Sequence, residues 1–98
     1  MGLSDVNRDL LKTMLRFLEK YDAGQVYFSQ LVADIGIAID SLLNYDDEVQ
    51  KQLKSKWRAL EEVNALALDQ DSVEPLKEHK EFSNQVLADL RRLINSLL

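Results

Sequence analysis

The chain has 98 residues, 46% of them hydrophobic and 30% charged, with 17 acidic and 12 basic side chains and a formal net charge of −5. That length makes one domain, residues 1–98, and the apolar content excludes wholesale disorder. The absence of cysteine excludes disulfides and thiolate metal sites, and the acidic balance weighs against nucleic acid and anionic membranes, which both demand concentrated basic charge.

The opening residues, MGLSDVNRDL, lack the basic start and apolar run of a signal peptide, and no stretch is long and apolar enough to span a bilayer. A cytoplasmic protein is expected. The first helix is predicted from Ser4 to Tyr21, with Ser4 as N-cap and Asp5 suited to the first turn. Val6, Leu10, Met14, Phe17, Leu18 and Tyr21 make its inner face, and Arg8, Lys12, Arg16 and Lys20 point outward. Asp22-Ala23-Gly24 ends it, with Gly24 as the left-handed stop.

A second helix is predicted over Gln25–Leu43, where Phe28, Leu31, Val32, Ile35, Ala38, Ile39 and Leu42 keep helical spacing. The β-branched run around Gly36 resembles a strand, but the wider window holds the helical period and no partner strand exists elsewhere. Gly36 itself marks either a close helix crossing or a kink.

The short polar connection Asn44-Tyr45-Asp46-Asp47 leads into the third helix, and residues Asp46–Asp69 read as one unbroken helix, capped by Asp46 or Asp47. Its core stripe is Val49, Leu53, Leu60, Val63 and Ala67, and Trp57, Glu61, Asn64 and Leu68 form a second stripe along its edge. Asp69 to Ser72 forms an acidic link, and Pro75 is placed in the first turn of a last helix that runs to near the C-terminus. Leu76, Phe82, Val86, Leu87, Leu90, Leu93, Ile94 and Leu97 give that helix its apolar face. Four helices with short connections predict an all-α fold, an antiparallel up-down four-helix bundle.

Residue chemistry offers no reaction. The single histidine, His79, reads as an exposed structural residue, since Glu-x-x-His is broken by Leu76 and no cysteine stands by it. The carboxylate pairs Asp46/Asp47, Glu61/Glu62 and Asp69/Asp71 fall on loops or outward faces, where solvation and helix capping account for them. Asp69, Asp71 and Glu74 lack the ligand ladder and central glycine of a calcium loop. No catalytic residue, cofactor or metal is assigned. Lys51, Lys54, Lys56 and Arg58 mix with Glu61 and Glu62 along one helix and have no aromatic ladder between them, a poor footprint for nucleic acid.

What remains is a surface for a protein partner. Tyr45 beside Asp46, Asp47 and Glu48 makes one candidate corner, and Trp57 with Glu61, Glu62 and Asn64 makes another. Trp57 reads two ways, as a core residue closing the bundle or as a binding anchor.

The segment KSKWRALEEVNALALD, the opening helix and the closing ADLRRLINSLL together resemble small all-helical bacterial immunity proteins, the partners of toxins in contact-dependent growth inhibition systems. The resemblance implies a protein that binds one cognate toxin domain tightly and blocks its active site. Many such toxins are nucleases with basic clefts, which an acidic partner suits. Lys54 and Arg58 depart from a purely acidic footprint. The alternative is a structural or regulatory helical module with no toxin partner, which self-associates as a weak homodimer through its apolar last helix.

Overall fold

The computed structural model describes residues 4–98, so the first three residues of the MGLSDVNRDL segment lie outside the description. The described residues form four α-helices: α1 (Asp5–Asp22), α2 (Phe28–Asp40), α3 (Asp47–Asp69) and α4 (Lys80–Leu97), the last preceded by a 3₁₀ turn at Lys77–His79. No strand occurs among the described residues. No helix of the described residues is long and apolar enough to cross a membrane. Each helix packs on the next in sequence, and α1 also touches α4. The shared core is built from side chains such as Leu11, Met14, Phe28, Ile35, Leu53, Leu60, Leu90 and Ile94.

Helix α1 begins where expected, with the Ser4 hydroxyl accepting the Asn7 amide at 3.2 Å. It closes in a Schellman turn. The Gly24 amide donates to the Tyr21 carbonyl and the Gln25 amide to the Lys20 carbonyl, with Gly24 at φ 72°. Its buried face is turned from the predicted one, because Asn7, Leu11, Met14 and Leu18 are inside. Val6 is 54% exposed, and Leu10, Phe17 and Tyr21 lie at the margin. The cause is Asn7, whose amide is spent on the backbone beyond α2: Nδ2 donates to the Leu43 carbonyl (2.8 Å) and Oδ1 accepts the Leu43 amide (2.9 Å). A polar residue with both ends satisfied is a comfortable core residue.

Helix α2 is shorter at both ends than Gln25–Leu43. Gln25 is used to close α1, and at the far end the Ser41 hydroxyl bonds back to the Ile37 carbonyl (2.8 Å) while Asn44 takes φ 49°. The start of α2 has no side-chain cap of its own. Its first amides are met from the α3–α4 connection instead. The Phe28 amide donates to the Glu74 carboxylate at 2.6 Å and the Ser29 amide to the Val73 carbonyl at 3.1 Å.

Helix α3 has the predicted extent. Asp46 is the cap, accepting from the amides of Glu48 and Val49. At its end Asp71, at φ 58°, takes the left-handed position usually left to glycine, and the Ser72 amide returns to the Ala67 carbonyl.

Pro75 does not stand in the first turn of α4; it lies in the connection, which the Ser72 hydroxyl folds by bonding both the amide and carbonyl of Glu74. Holding Glu74 at the start of α2 delays α4 to Lys80. The predicted apolar face of α4 also changes: Phe82 is 54% exposed, and Ser83, which was not counted on that face, is buried with its hydroxyl donating to the Lys80 carbonyl. His79 is partly buried rather than exposed, and its Nδ1 is sequestered without a hydrogen-bond partner among the described residues.

The Glu74 carboxylate also accepts the Tyr21 hydroxyl (3.1 Å), and the Tyr21 and Phe28 rings meet edge to face with centroids 5.8 Å apart. Burial first, then the Glu74 charge and hydrogen bond, push the Tyr21 phenol up from 10.0 to about 12. An unfolded phenol ionises near 10, so this contribution to stability is intact below that pH and is lost as pH climbs toward 12. Absorbance titration of phenolate should show Tyr21 ionising above the ordinary tyrosine range, and Glu74→Gln should bring it down. If the Glu74→Gln trace overlays that of the parent, the assigned cause is wrong.

Candidate partner interface

The side chains singled out from the sequence belong to α3 and the turn before it, and the structure sorts them into different roles. Asp46 is engaged as the helix cap, whereas Asp47 and Glu48 are exposed in the first turn, where the positive end of the helix dipole favours them. Tyr45 is partly buried against the core, and its phenol is raised above 10.0 by burial and then by the Asp46 charge.

Glu61 and Glu62 are exposed as expected, but they stand 13 and 14 residues beyond Glu48. At about 1.5 Å per residue that is roughly 20 Å along the axis. The acidic residues therefore form two separate patches on one rigid rod.

Trp57 sits between them, in the seam between α2 and α3. Its Nε1 donates to the Val32 carbonyl at 2.8 Å, and its ring lies against Gly36 so closely that a Cβ there would stand 2.8 Å from three ring atoms. Gly36 is thus the site of a close helix crossing. The indole N–H is committed within the chain, and the ring is partly buried against the core. Asn64 is also partly buried, with Oδ1 sequestered and without a partner among the described residues.

Several exposed apolar side chains were not anticipated: Tyr27, Ile37, Leu43, Leu66 and Phe82. Ile37 falls outside the α2 stripe already, so its exposure was legible from periodicity. Two open grooves flank the pairing of α3 with α4. One, of about 480 Å³, is lined by Glu48, Lys51, Gln52, Ser55, Lys56 and Leu93. The other, of about 510 Å³, is lined by Leu66, Asp69, Gln70, Leu76, Glu78 and His79.

No family model, curated protein or solved structure matches this chain.

The geometry itself must therefore speak for the site. Among the described residues, no group of three or more His, Cys, Asp or Glu side chains is placed to hold a metal ion. Ion pairs join Lys56 and Arg92 to Asp89, and Arg91 to Asp22, so the α4 arginines and Lys56 are tied to carboxylates of the same chain. Among the described residues Asp47, Glu48, Glu61 and Glu62 enter no such pair, and they project from α3 into solvent. Such an array presents negative charge on a backbone that packing has already fixed, the arrangement that captures a cationic surface with little ordering cost.

Proposed function

We propose that this chain is a non-catalytic, cytoplasmic immunity protein, an antiparallel up-down four-helix bundle that binds a basic toxin domain and blocks its active site. The observation carrying this reading is the two patches of exposed carboxylates on α3, Asp47 and Glu48 at one end and Glu61 and Glu62 further along, none engaged in an ion pair among the described residues. Net charge of −5 favours the same class of partner. The bundle arrangement is favoured by the meeting of chain segments at two places: Asn7 with Leu43, and Phe28 with Glu74. A nuclease domain with a cationic cleft fits the chemistry.

Asp46 is the cap of α3, so it is left untouched in the test. Reversing Asp47, Glu48, Glu61 and Glu62 to lysine should slow association with any toxin domain found encoded in the gene neighbourhood by about tenfold or more, and added salt should narrow the gap. The same variant should lose the ability to protect cells from that toxin. Unchanged kinetics and protection for a folded variant remove this surface from the interface. Failure of the parent protein to bind or protect removes the immunity reading altogether.

A further inference from the structure

Along the exposed ridge of α3 lie Lys51, Arg58, Glu62 and Asp69, all solvent-facing. At roughly 100° per residue the four fall within an arc of about 40°, so they share one line down the helix. None takes part in an ion pair among the described residues. The order along the ridge is basic, basic, acidic, acidic. It is also symmetric about Leu60, because Lys51 and Asp69 stand nine residues to either side of it, and Arg58 and Glu62 two residues to either side.

A ridge with this pattern is its own complement when a second copy is laid against it in the opposite direction. We propose that α3 pairs with α3 of a second copy of this chain about a two-fold axis near Leu60, forming a homodimer that does not rest on the toxin-binding reading, although Glu62 belongs to both surfaces. In that register Lys51 meets Asp69 of the partner subunit, and Arg58 meets Glu62 of the partner subunit. Two-fold symmetry repeats both pairs, so four opposite-charge contacts form and no like charges meet. A parallel pairing in register would instead set like on like four times.

The apolar element of the contact is Leu66, which is 48% exposed. In the same register it comes level with Lys54 of the partner subunit and one residue from Ser55 of the partner subunit, a small residue on the wall of the groove that Leu93 also lines. The charges on either side of Leu66 set direction, and Leu66 supplies the burial. On the last helix Val86, Leu87, Leu90 and Ile94 are buried in the core, whereas Phe82 is 54% exposed.

The α3 rod spans about 34 Å, and one helix ridge covers less area than the roughly 800 Å² per partner of a stable complex. The dimer is therefore weak and salt-sensitive, since exposed ion pairs contribute little individually and are screened.

The test uses the full chain alone, so its outcome does not depend on any toxin. Sedimentation equilibrium in low salt should show reversible dimerisation, with the dissociation constant rising as salt is added. Lys51→Glu with Arg58→Glu makes the ridge wholly acidic, and Glu62→Lys with Asp69→Lys makes it wholly basic. Each double variant should self-associate about tenfold or more weakly, because like charges now face one another. Mixed in equal amounts, the two should form a heterodimer, since every contact is again between opposite charges. All four positions are exposed on a helix that tolerates Lys and Glu equally, and circular dichroism checks that the fold is kept. A parent chain that stays monomeric at about 1 mM in low salt overturns the proposal, that concentration being ample for even a small interface. So does a mixture that fails to associate, or a variant that self-associates as the parent does.

Discussion

Leu60→Ala is expected to remove about 2–5 kcal/mol of stability. Leu60 has no exposed surface, lies at the middle of the longest helix and belongs to the central core cluster. Truncation deletes three buried carbons and leaves a cavity whose walls, set by Leu53, Val63 and the side chains of the neighbouring helices, are held by their own packing. A domain of this size has only some 5–15 kcal/mol in total, so the variant stands near the edge of folding at room temperature. Urea unfolding should show a lower midpoint with an unchanged slope. A loss below about 1 kcal/mol would mean that the site collapses freely and that Leu60 is no centre of the core.

The second large effect is expected at Gly36→Val. A Cβ at this position would lie 2.8 Å from Cε2, Cζ2 and Nε1 of Trp57, and valine adds two methyl groups beyond it. Replacing glycine within a helix gains a few tenths of a kcal/mol from propensity, whereas overpacking costs about 1–3 kcal/mol. Loss of the indole bond to the Val32 carbonyl adds about 1 kcal/mol more. Sterics win. The indole must swing outward, so its fluorescence should shift to the red along with the fall in stability. An emission spectrum and midpoint identical to those of the parent would show that the α2–α3 seam has room to spare.

The parts of this fold that were legible in the sequence are those whose causes are local. Helix α3 was readable at both ends because Asp46, its cap, is adjacent to it and nothing breaks its stripe. The Schellman stop at Gly24 was equally local. The start of α2 was not readable, because the groups that receive its amides lie 46 residues downstream. Val6 was expected inward for its apolarity and Asn7 was given no face, whereas two hydrogen bonds to Leu43 make the asparagine the interior residue. Phe82, expected inside, is exposed, while the neighbouring Ser83 is buried and satisfies itself on the Lys80 carbonyl. Of the candidate interface, the exposure of Glu61 and Glu62 was legible from helical phase. The use of the Trp57 indole by α2 was not, because it depends on how near two helices approach. The symmetry of charge along α3 likewise has meaning only once its outward ridge is known.

The acceptors for the first two amides of α2 have a consequence for the order in which this chain takes shape. Synthesis delivers residues 28–40 well before Val73 and Glu74, so a nascent chain holding α1 and α2 alone has the start of α2 open to water. The pair of helices made first is thus left unfinished until α3 has been built and its C-terminal turn closed. Folding is thereby joined across the chain, with the second helix completed by residues that leave the ribosome after the third.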